Sequence, residues 1–123
     1  MLINRNDIDM QQGATFQLQL LIQDANTNPI NLSTYSAYMA IKTDYANTTL
    51  TEQLSTANSE IQMGSNTGIY NLTLSAARTA NVYVDLTKGF PPKSNYVYDL
   101  QIQSGSGVVT KIMYGNIYFY GEV

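Results

Sequence analysis

The sequence predicts an all-β domain, a two-sheet antiparallel sandwich of about seven strands with one short helix. Three observations carry that prediction. Apolar and polar residues alternate with period two along most of the chain. Clusters of Gly, Asn, Asp, Ser and Pro interrupt the alternation about every ten residues. Helical periodicity fits a single short stretch.

The chain divides into an N-terminal arm, residues 1–10, and a sandwich domain, residues 11–123. The arm is polar and weakly patterned, with Leu2, Ile3, Ile8 and Met10 as its apolar anchors. It is too poor in apolar area to fold on itself, so ordering along a neighbouring surface is expected. In TFQLQLLIQD, Phe16, Leu18, Leu20 and Ile22 share one face and the glutamines take the other. DANTNP, residues 24–29, is a turn, because Asn and Asp tolerate left-handed backbone and Pro29 cannot continue a central ladder. The next strand places Ala37, Met39 and Ile41 on one face and Tyr38, Ala40 and Lys42 on the other. Residues 46–58 alternate poorly and read as a loop or weak edge strand.

EIQMG gives a short strand around Ile61 and Met63, ended by the GSNTG turn. GIYNLTLS follows, with Tyr70, Leu72 and Leu74 on one face. SAARTANV is the helical stretch, with Ser75 as its N-cap. The segment Asp85–Asn95 is a loop by its Gly and paired prolines. Tyr96, Tyr98, Leu100 and Ile102 then share a face, and SGSG supplies a hairpin turn. On the return strand Val108, Thr110, Ile112 and Tyr114 share a face. A bulge at Gly115-Asn116 is expected to hand the inward role to Ile117 and Phe119. Without Cys…Trp…Cys spacing the sandwich is immunoglobulin-like rather than antibody-type. FPPKSNY resembles a tyrosine corner, in which the Tyr96 hydroxyl would bond back to backbone a few residues upstream.

The composition is poor in chemistry. With no His and no Cys, the commonest general base, the commonest metal ligand and any thiolate site are missing. Six Lys and Arg against nine Asp and Glu leave a net charge of -3 and no basic patch for nucleic acid. No basic n-region with an apolar core opens the chain, and LQLLI is far too short for a membrane span. Asn31, Asn47 and Asn71 head sequons that chance explains in so Asn- and Thr-rich a chain. Among the carboxylates, Asp99 is mid-strand and reads as a cross-strand partner of Lys111. An enzyme is not expected, nor is any cofactor or metal. Ten tyrosines stand out. Tyr70, Tyr96 and Tyr98 are predicted inward, whereas Tyr114, Tyr118 and Tyr120 exceed what one core face can take. Rigid aromatics with a polar tip suit protein interfaces and also suit sugar stacking.

The order GATFQLQLLIQD, INLSTYSAYMAIK, GIYNLTLSAARTAN and YVYDLQIQSGSGVVTKIMYGNIYF resembles small virion structural proteins of tailed bacteriophages. It is similar to the immunoglobulin-like domains that begin phage baseplate upper proteins. The shared pattern is a Leu-Ser/Thr-x-Tyr step (Leu32 to Tyr35) and a Leu-Ser-Ala-x-x-Thr helix (Leu74 to Thr79). A Tyr-Asp-Leu strand paired with a Gly-x-Val…Gly-x-Ile/Val strand completes it. The likeness covers nearly the whole chain, and its motifs are structural. VYVDLTKGFPPKS departs from the pattern as an insertion. The resemblance implies a non-catalytic, multi-copy part of a tail, baseplate or fibre attachment, made in the host cytoplasm and placed in the virion. Its partners would be other virion proteins, with neither nucleic acid nor membrane. The chain ends at GEV just after the last predicted strand, which makes an adaptor or a capsid-decoration role the expectation rather than a complete fibre. A carbohydrate-binding module is the competing reading. Candidate contact residues are Leu2, Ile3, Ile8, Met10, Tyr118 and Tyr120. Calorimetry with zinc, calcium and ATP is expected to show no micromolar site; one such site would return enzymatic chemistry to consideration.

Overall fold

The computed structural model describes residues 4–21, 34–46, 50–57, 59–63, 69–87, 89 and 92–121. In chain order the elements are β1 (Asn4–Arg5), β2 (Ile8–Gln11), β3 (Phe16–Leu21), β4 (Ser36–Lys42), β5 (Glu52–Ser55), β6 (Ile61–Met63), β7 (Ile69–Leu74), α1 (Ala76–Ala80), β8 (Lys93–Gln103) and β9 (Val109–Tyr120). They form two sheets. The larger runs β1-β9-β8-β4-β5, with β2 also on β9, and the smaller runs β3-β7-β6. The two sheets bury their facing sides against each other, so the architecture is the expected all-β sandwich with one short helix. The seven strands read from the sequence are β3 to β9.

The inward faces follow the period-two reading closely. Met39, Ile41, Tyr70, Leu72, Leu74, Tyr98, Leu100 and Ile112 are buried, while Phe16, Leu18 and Leu20 pack against this core half-buried. Leu54, Ile61, Val82 and Val84 add to it from segments with little alternation. The weak edge strand is β5, paired with β4. Ser75 caps α1 as its sequence suggests, its hydroxyl accepting from the Arg78 N–H at 3.3 Å. The DANTNP and GSNTG turns lie outside the described residues. The loop of residues 85–95 is shorter than expected, because β8 begins at Lys93.

Tyr96 behaves as a tyrosine corner with a longer reach. It stands near the start of β8, and its hydroxyl donates to the Tyr83 carbonyl at 2.6 Å, 13 residues upstream. The bond fixes the segment that leaves α1, whose Val82 and Val84 are buried on either side of Tyr83. Its ring also meets Phe119 edge-on, with centroids 5.4 Å apart.

Two expectations need correction. The bulge is not at Gly115-Asn116. Leu100 pairs with Met113 and Gln101 with Lys111, so Ile112 is the extra residue and the register shifts there. Ile112 and Met113 are therefore both buried, and Tyr114 turns outward instead of sharing the inward face with Ile112. Gly115 serves another purpose. A Cβ at Gly115 would overlap the Asn6 carbonyl. The Tyr98 hydroxyl, from the residue directly opposite Gly115, donates to that same carbonyl. The bare α-carbon leaves room for Asn6 and Asp7, between the two N-terminal strands, to pass close against β9 at this point.

The second correction concerns the arm. It does not wait for a neighbouring surface: β1 and β2 run parallel along the edge of β9 that β8 leaves open. The expected all-antiparallel sheet thus carries a parallel edge. Ile8 and Met10 are 6% and 2% exposed, part of the protein's own core. IDMQ does alternate, but four residues made too short a signal against the polar residues around them. Leu2 and Ile3 lie outside the described residues. Removing the arm should therefore destabilise the domain. Met10→Ala and Leu100→Ala are each expected to cost about 2–5 kcal/mol in denaturant unfolding. An unchanged midpoint for Met10→Ala would mean that the arm does not belong to the core.

Buried phenols make the core sensitive to alkali. Burial raises the Tyr70 and Tyr98 hydroxyls above the ordinary phenol value, so both stay neutral in the folded state. In the unfolded chain they ionise near about pH 10. The stability that comes from keeping them neutral is therefore complete below that pH and is lost as pH rises through the folded-state values. The Tyr70 hydroxyl is buried without a hydrogen-bond partner among the described residues. Tyr70→Phe should accordingly leave stability at pH 7 unchanged or raised and flatten the loss above about pH 10. Thermal melts from pH 7 to 11 test this, and a marked loss at pH 7 would show that the hydroxyl is satisfied.

Candidate functional site

The outer face of the larger sheet gathers what functional chemistry the protein has. Once the bulge at Ile112 sets the parity of β9, Gly115, Ile117 and Phe119 point inward, and Tyr114, Asn116, Tyr118 and Tyr120 point out. Opposite them on β8 stand Asp99, Val97, Asn95 and Lys93. On β4, Tyr38, Ala40 and Lys42 continue the face, with Ala40 opposite Asp99. Arg5, Asp9 and Gln11 of the arm pair with Tyr114, Tyr118 and Tyr120 and complete its far side.

Tyr45 joins this face from the loop after β4. Its hydroxyl donates a shared hydrogen bond to the Tyr98 and Gly115 carbonyls, at 3.2 and 3.1 Å. The bond anchors the tip of the ring over the two central strands while the residue stays 54% exposed. Burial raises the hydroxyls of Tyr38 and Tyr45 above the usual phenol value, and the Asp99 carboxylate pushes both in the same direction. Both are neutral at physiological pH. The Tyr38 hydroxyl bonds Gln53 Oε1 at 2.8 Å.

Few charges interrupt the tyrosines, and several of them are engaged locally. Lys111 Nζ lies 3.0 Å from Asp99 Oδ2, the cross-strand pair expected from the sequence, now diagonal because of the bulge. With Lys111 more than half exposed, the pair contributes at most about 1 kcal/mol. Lys93 Nζ sits 4.8 Å from the centroid of the Tyr118 ring, a cation–π contact. These contacts orient side chains. They do not assemble a nucleophile, a base and an oxyanion site.

Of the six candidate contact residues, the structure brings Tyr118 and Tyr120 together on one face, both half-exposed. Ile8 and Met10 are core residues that support the same sheet from its inner side. Tyr38 and Tyr45 were missed as partners of this face. Tyr38 could have been found from its outward parity; Tyr45 sits outside any alternating run and carried no signal.

A second polar cluster was also missed. Arg78 of α1 reaches Glu52 with Nε–Oε2 at 2.8 Å, ion-pairs with Glu60, and donates from Nη2 to the Gln53 carbonyl at 2.6 Å. Glu52 and Glu60 bracket β5, so this arginine pins the helix to the edge strand of the larger sheet. Its role is mechanical: one fork closes three acceptors. Among the described residues no group of three or more His, Cys, Asp or Glu could hold a metal ion, and no helix is long and apolar enough to cross a membrane.

No protein-family model matches the chain, and no curated protein sequence matches it.

Proposed function

We propose that this protein is a non-enzymatic structural component of a phage particle, a tail, baseplate or fibre-attachment adaptor that works through protein–protein contacts in many copies. The observation that carries the proposal is the tyrosine-bearing outer face of the larger sheet. Four half-exposed tyrosines, Tyr38, Tyr114, Tyr118 and Tyr120, project from a hydrogen-bonded sheet that fixes their backbones, and Tyr45 joins them from a loop through its anchored hydroxyl. Ordering such side chains on binding costs little entropy, and each offers a large apolar ring with a hydroxyl at its tip. The resemblance of the strand and helix motifs to phage baseplate domains gives the partner class, other virion proteins. A capsid-decoration role would use the same face at a different docking place.

Sugar binding has one observation in its favour: Asn95, Asp99 and Asn116 lie between the tyrosines. Yet Tyr114 to Tyr120 run along the last strand over about 20 Å at the usual strand rise. An extended aromatic line suits a protein surface better than a single sugar ring held in a pocket.

Replacing Tyr118 and Tyr120 together by Ser should leave the isolated domain folded, with an unfolding midpoint close to that of the wild type. The same variant should lose incorporation into particles, read as its absence from purified virions after complementation. Normal incorporation would exclude this face as the contact. Oligosaccharide titration followed by tyrosine NMR shifts gives the competing answer, and millimolar or tighter binding there would favour the sugar-binding reading.

A further inference from the structure

The smaller sheet ends at β3, which among the described residues pairs only with β7. In an immunoglobulin-type sandwich the corresponding sheet has four strands in the order A-B-E-D. The order β3-β7-β6 corresponds to B-E-D, and the N-terminal strands that could cover β3 pair with β9 instead. Two features mark this edge as suited to a further strand. Phe16, Leu18 and Leu20 are only half-buried, although their cross-strand partners Leu74, Leu72 and Tyr70 are 0%, 1% and 0% exposed. The core is thus thinner on the β3 side. The strand FQLQLL also contains no charge, Pro or Gly, the devices that normally blunt an exposed edge, and Leu21 at its end is 55% exposed.

We infer that the outer edge of β3 is a self-association surface, on which β3 of a second copy adds antiparallel and joins the two small sheets into one of six strands. The sequence of the strand selects that occupant. A two-fold axis through the sheet pairs residues on the same face, so Leu18 meets Leu20 of the second copy and Gln19 meets its own counterpart. Apolar side chains then cover apolar ones on the inner side. On the outer side an existing row is extended. Gln62 and Gln19 both register with Asn71, and Gln19 Nε2 donates to Asn71 Oδ1 at 3.0 Å. Pairing at Gln19 continues that amide row across the axis into the second copy. Each chain carries a net charge of -3, yet no like charges meet along this uncharged edge. The self-pairing stands apart from the virion reading, because it uses the smaller sheet and leaves the tyrosine face open.

Sedimentation of the wild-type chain should show a dimer at about 100 µM. Gln19→Lys places two ammonium groups opposite each other and should raise the dissociation constant at least about tenfold while leaving the melting midpoint of the dilute monomer unchanged. The chain has no cysteine, so single-cysteine variants report proximity directly. Gln19→Cys should form a disulfide-linked dimer under mild oxidation faster than Gln62→Cys, which lies on the same face two strands away. A wild type still monomeric at about 1 mM overturns the self-pairing and leaves a strand from another protein as the occupant of the edge. So does a dimer that is indifferent to Gln19→Lys, or equal cross-linking of the two cysteine variants.

Discussion

The structure depends on one extra residue in β9. Because Ile112 has no partner on β8, the side-chain parity of the last strand inverts at that point. Everything downstream follows from the inversion. Ile117 and Phe119 become fully buried, Tyr96 gains its edge-on ring partner, and the tyrosines move to the opposite face. Were the strand to continue in regular register, the same sequence would point Tyr114, Tyr118 and Tyr120 into the core and expose Ile117 and Phe119. The bulge thereby creates the core and the outer aromatic surface together.

Downstream of the bulge, Gly115 decides how the N-terminus is used. Its missing side chain admits the Asn6 backbone, and the Tyr98 hydroxyl satisfies the carbonyl brought in there. The arm can then run along β9 on both sides of this point and deliver Ile8 and Met10 to the core. The large sheet gains a covered edge on β9. No strand of the arm pairs with the small sheet, which among the described residues is three strands wide with Phe16, Leu18 and Leu20 half-covered. One close backbone approach therefore links the most complete part of the fold to its least complete edge.

The surface that results is low in charge and rich in neutral donors and acceptors. Asp99 and Lys111 satisfy each other, Lys93 rests on Tyr118, and Arg78 is occupied with two glutamates and a carbonyl. Beside the few remaining charges, among them Arg5, Asp9 and Lys42, the outward chemistry is mostly amide and phenol: tyrosines on the large sheet, and Gln17, Gln19, Gln62 and Asn71 on the small one. Groups of this kind recognise shape and hydrogen-bond pattern rather than charge. They suit contacts meant to persist at varying ionic strength, since screening acts on charges and leaves neutral contacts largely alone.

Alternation was enough to read the strands, because a half-buried strand writes its period directly into the side chains. Tyr98, Leu100, Met39, Ile41, Leu72 and Leu74 were legible as core for that reason, and the cap at Ser75 was legible from its residue type before a short helix-forming run. Alternation could not place the bulge. An extra residue at Ile112 and one at Gly115 give nearly the same pattern, and only the pairing with Leu100 and Gln101 distinguishes them. Nor could the arm be assigned from four residues, because parallel pairing with β9 depends on contacts about a hundred residues apart in the chain. Tyr45, the Arg78 cluster and the long reach of Tyr96 to Tyr83 are likewise set by neighbours that no local pattern names. The sequence by itself determined which residues seek the core. Tertiary structure decided which face the tyrosines occupy and which edge the arm covers, because register and pairing are fixed by long-range contacts and by the space left at a single glycine.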